Sequence, residues 1–305
     1  MSGPVDPARA RFRREMRDLG RDRRSSSTTI GLRALDVVEA YLRRLDGPRL
    51  PSGMALARRQ VAALSSGQPS LTLVRSVAES LDSALSRPDR GGDRTGTRSV
   101  LFRRIAELRR GVTSARVAIA RTGLRLFPAR RSVLTLSYST EVLAVLRGAH
   151  RRGRLGGVLV GESGPRCEGR RLVGDLRRFR IGARPLPLAA LERGVREAEL
   201  AIVGADTIEA DGTVVSKVGA YLIALACRDQ GKPFYVTAAA TKFLALPSVS
   251  RPVPPDDRFD SLFDRTPSAL VSGYLTESGL FPPGGLASAH RRAVPPGVRG
   301  FPARR

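Results

Sequence analysis

The chain has 305 residues, and its 53 Lys and Arg against 28 Asp and Glu give a formal net charge of +25. Two cysteines and two histidines are too few for a disulfide framework or a multi-histidine metal site, so we expect a cytoplasmic protein without metal or cofactor. No run reaches the roughly 18 to 20 apolar residues of a membrane span, and the N-terminus lacks the apolar core of a secretory signal, so no membrane partner is expected.

The positive charge has two interpretations. A strongly basic chain is typical of a protein that binds RNA or another phosphate-rich partner. Only three of the 53 basic residues are lysine, however, so a general use of Arg for Lys combined with few surface acids would also produce the excess. The arginines are not interleaved with aromatic residues, since the chain has no Trp, five Tyr and ten Phe. Both interpretations stay open.

The first part of the chain is predicted to be helical. Residues 1–24 are rich in arginine and contain Pro4 and Pro7, and we expect a basic arm there that is flexible or partly helical. Residues 25–125 are expected to form a helical domain, because apolar residues recur at helical spacing between prolines and a polar loop at 87–97. The helical stretches are 28–45, 54–64, 70–85 and 100–122.

From residue 126 onwards, short β-prone runs alternate with helical stretches. The β-prone runs are 132–136, 157–160, 200–203 and 233–236, and the helical stretches are 141–151, 189–197 and 217–229. This alternation predicts a parallel sheet with crossover helices, and hence an α/β domain over residues 126–288. The Pro- and Arg-rich residues 289–305 are expected to form a disordered tail.

Polar side chains gather where the predicted strands end. Ligands of open α/β sheets bind beyond the carboxyl ends of the strands. The ends here are TLSYS (135–139), GESGPR (161–166), GADT (204–207) and residues 237–241. Asp206 follows an apolar run, which suits a general acid or base, although an Asp that caps a turn would give the same pattern.

All three lysines lie between residues 217 and 242. A Lys that remains in an Arg-rich chain is expected to serve where a compact ammonium group is needed, and chance clustering is the alternative. Ser216 is a candidate N-cap of helix 217–229, and free N–H groups there beside Lys217 would suit a phosphate. An exposed Lys in a first helical turn would look the same. Cys167 is expected to be an inert thiol and Cys227 a core residue.

One long motif resembles a known family. The segment GADTIEADGTVVSKVGAYLIALACRDQGKPFYV resembles the GAD-x-I-x-x-(N/D)-G-x-V-x-N-K-x-G-(T/A)-Y signature of the initiation factor 2B family. Further segments are similar to family motifs, and together they cover about residues 28–285: GQPSLTLVRSV, VLTLSYSTEVLAVL, VGESGPRCEGRRL and LFDRTPSALVSGYLTESGLFPP. The family holds the alpha, beta and delta regulatory subunits of the eukaryotic factor, archaeal relatives, and isomerases of ribose 1,5-bisphosphate and methylthioribose 1-phosphate.

The resemblance implies a helical N-terminal domain followed by a Rossmann-like domain, usually in a dimer or hexamer. In the isomerases a Cys after the first strand and the Asp of GAD carry the acid–base chemistry. The Asp matches Asp206, but the Cys position is Ser137, whose hydroxyl is a far weaker acid than a thiol. Lys217 matches the family lysine and is the best phosphate anchor.

The remaining ligand-binding candidates depart from the family pattern. Ser216 stands where the isomerases have Asn, and Gly164 stands where they have the Arg of ESRP. Arg166 is close enough in sequence to substitute for that Arg, and Glu162 retains the preceding carboxylate. A sugar phosphate bound as in the isomerases would therefore meet different side chains at these positions.

The sequence is consistent with three functions. The first is a non-catalytic, factor-2B-like regulatory protein that binds a sugar phosphate or nucleotide, forms a homo-oligomer and contacts a translation factor. The second is a sugar-1-phosphate aldose–ketose isomerase that uses Asp206 with another acid, such as Tyr138 or Cys167. The third is an RNA- or ribosome-associated protein, supported by charge alone.

Overall fold

The computed structural model describes residues 6–45, 47–86, 94–164, 166–243 and 262–285. The chain divides into two compact units, Met1–Thr113 and Ser114–Arg305, so the boundary falls inside a helix rather than after residue 125. The predicted tail 289–305 lies outside the described residues. The α/β class is confirmed, with a helical first part and a mostly parallel sheet in the second.

The first unit consists of packed helices. They are α1 (Pro7–Arg21), α2 (Ser27–Arg43), α3 (Leu50–Gly67), α4 (Thr72–Leu85) and the first part of α5 (Arg94–Thr122). Ser26 begins α2 by accepting a hydrogen bond from the Thr29 N–H. The buried Gln68 donates from Nε2 to the carbonyls of Leu19 and Asp22, at 2.9 and 2.7 Å, and so satisfies the end of α1.

Part of the expected N-terminal arm forms helix α1, in line with the partly helical alternative. Asp6 accepts a hydrogen bond from the Ala8 N–H, and Pro7 occupies the first helical turn, where its missing N–H costs nothing. Phe12 and Met16 are buried on one helical face, and the Phe12 ring stacks on Tyr41 with centroids 4.1 Å apart. Leu19 lies on the same buried face, and the many arginines around these three apolar residues obscure the helical pattern in the sequence.

The second unit is built on a seven-stranded sheet. Its strands are β1 (Arg131–Leu136), β2 (Leu155–Gly161), β3 (Ala183–Leu186), β4 (Leu200–Gly204), β7 (Phe234–Thr237), β9 (Gly273–Thr276) and β10 (Gly279–Phe281). Their order is β10-β9-β7-β4-β1-β2-β3, and each pair is parallel except β10–β9. Leu134 pairs with Leu159 of β2 and with Ala201 of β4.

Helices cover both faces of this sheet. They are α6 (Thr140–His150), α7 (Glu168–Arg178), α8 (Leu191–Glu197) and α9 (Ala220–Asp229). Side chains of α6 and α7 join one buried cluster and side chains of α8 and α9 another. Burial on both faces explains why the central strands are continuous apolar runs instead of alternating ones.

A second, three-stranded sheet was not predicted. It consists of β5 (Thr207–Ile208), β6 (Val214–Lys217) and β8 (Phe263–Thr266), in the antiparallel order β5-β6-β8. Strands this short have little periodicity, so their sequences alone do not identify them. Strand β6 corrects the predicted helix 217–229, which begins only at Ala220.

Lys232 has a structural role. Its ammonium donates to the carbonyls of Val195, Arg196 and Ala198 at 2.6 to 2.7 Å, where α8 ends. These carbonyls have no partner within the helix, and a cation at a helix C-terminus is favoured by the helix dipole. A tetrahedral ammonium with three donors suits three converging acceptors, whereas a planar guanidinium does not.

Candidate ligand site at the strand ends

The sheet order reverses between β1 and β4. The strands β2 and β3 extend from one side of β1, and β4, β7 and β9 extend from the other. Such a reversal leaves a crevice at the carboxyl ends, where open α/β sheets bind ligands. Gly204 at the end of β4 makes room for the segment after β1, because a Cβ on Gly204 would lie 2.6 Å from the Ser139 Oγ. The crevice between β1 and β4 is the candidate ligand site.

Strand β6 passes across this crevice. The Ser216 hydroxyl donates to the Gly204 carbonyl at 2.7 Å, and the Asp206 N–H donates to the Val215 carbonyl at 2.9 Å, so β6 contacts the end of β4. On its other side, Lys217 Nζ lies 3.5 Å from Glu168 Oε1, and Glu168 is the first residue of α7.

Helix α7 in turn begins against the end of β2. A Cβ on Gly169, its second residue, would lie 2.3 Å from the Gly161 carbonyl oxygen. Because β1 lies between β4 and β2, a strand with partners on both sides must cross the carboxyl end of β1. Strand β6 therefore lies between the end of β4 and the first turn of α7, and it carries Ser216 and Lys217 next to Asp206.

The role predicted for Ser216 as a helix cap is wrong. Asp264, from β8, accepts hydrogen bonds from the N–H groups of Gly219 at 2.6 Å and Tyr221 at 3.2 Å, and so caps α9. The amides that were expected to bind a phosphate are thus already occupied by a carboxylate. A cap supplied from so far along the chain has no local sequence signal, which is why Ser216 was chosen instead.

Two buried serines lie at the ends of β1 and β2. Ser137 and Ser163 have φ angles of 59° and 54°, in the left-handed region that non-glycine residues rarely adopt. Their side-chain oxygens are buried and have no hydrogen-bond partner among the described residues. Buried hydroxyls are normally paired, and unusual backbone conformations concentrate at functional sites. The left-handed backbone and the unpaired buried oxygen both fit hydroxyls that hydrogen-bond a ligand.

The two charged candidates differ in their surroundings. The Asp206 carboxylate is half-buried and makes no hydrogen bond or ion pair with the residues that the structure describes. Lys217 has a side chain that is 22% exposed; its ammonium pairs with Glu168 and lies 4.6 Å from the centroid of the Phe263 ring. Glu168 is 9% exposed, and its Oε2 atom is buried without a partner in the described part of the chain.

Among the described residues, no hydrogen bond or ion pair joins the side chains of Glu162 and Arg166 to Asp206, Lys217 or Glu168. Glu162 pairs with Arg170, its Oε1 lying 2.7 Å from Arg170 Nε. Arg166 is exposed in the turn before α7 and makes no ion pair with a described residue.

The two alternative acids named for an isomerase are placed differently. The Tyr138 hydroxyl donates to Asp175 at 2.9 Å, and Arg171 stacks over its ring. Burial and that hydrogen bond raise the pKa of Tyr138, so it is a poorer acid than a free tyrosine. Cys167 is half-buried in a left-handed conformation at the start of α7. Cys227 is a core residue, as predicted, and burial raises its pKa to about 12.

Lys242 and Glu141 form a buried ion pair near the crevice, and the sequence analysis singled out only the lysine. Lys242 Nζ lies 3.4 Å from Glu141 Oε1, and each side chain is only 4% exposed. Glu141 Oε2 also accepts hydrogen bonds from the hydroxyls of Ser139 and Thr140, both at 3.1 Å. The rarity of lysine was the signal that pointed to Lys242, whereas Glu141 resembles an ordinary first-turn acid of a helix.

Glu277 extends this polar group towards β9. Its carboxylate accepts the Ala240 N–H at 3.0 Å. Burial, with the charge of Glu141 adding to it, raises the pKa of Glu277 above its usual value. Glu277 also lines a hollow of about 390 Å³ together with Arg121 and Arg125.

The described residues contain neither a metal-binding cluster nor a membrane-spanning helix. No group of three or more His, Cys, Asp or Glu side chains is arranged there to hold a metal ion. Among the same residues, no helix has the length and apolar character needed to cross a membrane.

The chain belongs to the initiation factor 2 subunit family, whose model matches residues 23–283. It is 36% identical over 197 residues to an eIF-2B subunit 2-like protein of Pyrococcus furiosus, covering 62% of this chain and 71% of that protein. It is 30% identical over 203 residues to the ribose 1,5-bisphosphate isomerase of Archaeoglobus fulgidus, covering 61% and 65%. It is 33% identical over 255 residues to the methylthioribose-1-phosphate isomerase of Gemmatimonas aurantiaca, covering 74% of each.

The chain is also similar to solved structures of eIF-2B proteins. The translation initiation factor eIF-2B of Pyrococcus horikoshii OT3 superposes with a TM-score of 0.74 at 27% identity, over 92% of this chain and 98% of that one. The tetrameric eIF2B-beta2-delta2 complex of Chaetomium thermophilum gives a TM-score of 0.69 at 18% identity, over 94% and 95%. The second similarity shows the fold alone. Relatives of this chain thus include both eIF-2B-like proteins and sugar-phosphate isomerases.

Proposed function

We propose that this protein is a regulatory, non-catalytic member of the family that binds a sugar phosphate or nucleotide in the crevice between β1 and β4. The observation that carries the proposal is Ser137. It stands at the position that the family resemblance assigns to the catalytic Cys, and its hydroxyl is buried without a partner among the described residues. A hydroxyl there can hydrogen-bond a ligand but cannot supply a proton as a thiol does.

The surrounding groups support ligand binding of this kind. Asp206 offers a carboxylate without a protein partner among the described residues, and Ser163 offers a second unpaired hydroxyl. Hydroxyl and carboxylate oxygens are suitable partners for the hydroxyl groups of a sugar or ribose ring. Polar groups that are already held in place and have no internal partner lose little conformational freedom, and break no internal hydrogen bond, when a ligand binds. This is the arrangement expected of a ligand sensor.

Phosphorus NMR of the purified protein tests the proposal. Ribose 1,5-bisphosphate and, separately, methylthioribose 1-phosphate are mixed with the protein. We expect the ligand resonances to broaden without new product peaks. Asp206→Asn should weaken binding about tenfold, since one charged hydrogen-bond acceptor is lost. Asp229→Asn, at the exposed end of α9, removes the same charge outside the crevice and should leave binding unchanged.

An isomerase is the second candidate, and the unpartnered Asp206 carboxylate favours it. Aldose–ketose isomerisation needs one group to take a proton and another to give one, and Asp206 could serve in one of these roles. Product peaks above a protein-free control, abolished by Asp206→Asn, would establish this activity and refute the regulatory proposal. The raised pKa of Tyr138 would then make Cys167 the first acid to mutate.

The partner proposals follow from family membership. We propose a homo-oligomer, dimer or hexamer, that contacts a translation factor. Light scattering of the purified chain tests the first point, and a monomer would refute it. RNA binding rests on the net charge of +25 alone, and its signature is an affinity that falls steeply with salt.

A further inference from the structure

The charge balance around Lys217 does not suit a phosphate. Lys217 is the one cation of the crevice group formed by Asp206, Glu168 and Lys217, and Glu168 already pairs with it at 3.5 Å. The side chains of Glu168 and Lys217 are 9% and 22% exposed, so water screens them little. With Asp206 included, this group carries one more negative than positive charge.

Glu168 has a second, unused acceptor. Its Oε2 atom is buried and has no hydrogen-bond partner among the described residues. A buried carboxylate oxygen without a donor is costly, and such groups in native proteins call for an explanation. A donor supplied by a ligand would satisfy it. A phosphate dianion has no such donor at neutral pH, whereas a sugar hydroxyl does.

We propose that Glu168 is a specificity-determining residue that directs the hydroxyl-bearing part of the ligand, and not its phosphate, to Lys217. The proposal rests on the ligand site proposed above and replaces the phosphate-anchor role predicted for Lys217. Glu168 neutralises the ammonium through Oε1 and accepts a ligand hydroxyl through Oε2. A phosphate at the same position would face the Glu168 carboxylate across a poorly screened space.

The variant Glu168→Gln tests this reasoning with almost no change of shape. The probes are inorganic phosphate and ribose 1,5-bisphosphate, each titrated by phosphorus NMR. In Glu168→Gln the Lys217 charge is no longer neutralised, and we expect inorganic phosphate to bind at least tenfold more tightly than to the unmodified chain. The second substitution Lys217→Met, added to Glu168→Gln, should abolish that gain, because the two residues act as a pair.

Glu209→Gln is the matched control. Glu209 is also shielded and paired with a cation, Arg265, but it lies at the turn between β5 and β6. A gain of phosphate affinity equal to that of Glu168→Gln would attribute the effect to overall charge and overturn the proposal. A change of less than twofold in Glu168→Gln would overturn it as well. If either of these two outcomes is found while the unmodified chain and Glu168→Gln both bind ribose 1,5-bisphosphate, only the role of Glu168 is refuted. If correctly folded chains bind neither probe, the ligand site itself is refuted too.

Discussion

The ion pair between Lys242 and Glu141 should hold the strand ends together. At 3.4 Å, with an effective dielectric constant near 20, their attraction is about 5 kcal/mol, and it offsets the cost of burying two charges that are each 4% exposed. Glu141→Gln leaves the Lys242 ammonium buried without its carboxylate, and we expect a loss of about 3 to 5 kcal/mol. Lys242→Met should cost less, because Ser139 and Thr140 still donate to the Glu141 carboxylate.

The double variant distinguishes a coupled pair from two independent losses. Removing both charges leaves no buried ion, so Glu141→Gln combined with Lys242→Met should lie within about 2 kcal/mol of the unmodified chain. Glu192→Gln, which breaks the exposed pair with Arg196, is the control and should cost less than about 1 kcal/mol.

Hydrogen exchange read by mass spectrometry is the appropriate assay. The chain has two compact units, so a single unfolding free energy is not well defined, whereas peptides from β1 and β7 report local opening. A loss of 3 kcal/mol accelerates exchange there by roughly a hundredfold. If Glu141→Gln resembles Glu192→Gln, or if the double variant loses the sum of the two single losses, the coupling argument is refuted.

Three further predictions concern single groups. The folded-state pKa of Glu277 lies above its usual 4.5, so the stability of the folded protein should fall as pH rises from 4.5 through the raised pKa. Melting curves of Glu277→Gln recorded across this range should lack the pH dependence. If the variant keeps the pH profile of the unmodified chain, the prediction is contradicted. Lys232→Arg should destabilise about as much as Lys232→Met, because a planar fork does not fit three converging carbonyls. The loss should be roughly 2 to 3 kcal/mol in the local opening of peptides from α8, measured by hydrogen exchange, and full protection in Lys232→Arg would disprove that geometry. Gly204→Ala should lower stability by about 1 to 3 kcal/mol and weaken ribose 1,5-bisphosphate binding, because the new Cβ would meet Ser139. Gly157→Ala is the control, since a Cβ there has open space, and it should change neither quantity. Equal effects of the two substitutions would exclude the close contact at Gly204.

The architecture could be predicted from the sequence because the central strands and helices have long, distinct patterns. The runs around Leu134 and Ile202 are apolar on both faces, as strands covered by helices must be. Helix α1 could be predicted only as one alternative to a flexible arm, because the pattern of Phe12 and Met16 is short and surrounded by arginine. The small sheet was missed because β5 has two residues and β6 has four.

The site could be predicted only in outline. Carboxyl ends of parallel strands meet at one edge, and this rule places Ser137 and Asp206 at the same edge of the sheet. The partners of Lys217 could not be foreseen, because Glu168 reaches it through the packing of α7 on β2, and no local spacing encodes that contact. The cap of α9 by Asp264 was hidden for the same reason, since 45 residues separate Gly219 from its acceptor.

That distant cap has a consequence for the order of assembly. During synthesis, β1, β2 and β4 leave the ribosome well before β8, yet β6 obtains its second pairing partner, and α9 its capping carboxylate, only when Phe263 and Asp264 emerge. Domains generally fold as units once enough of their chain is available. A nascent chain that stops before residue 262 would therefore expose an unpaired strand edge at β6, a surface prone to aggregation. The ligand crevice would thus be completed only after β8 has left the ribosome.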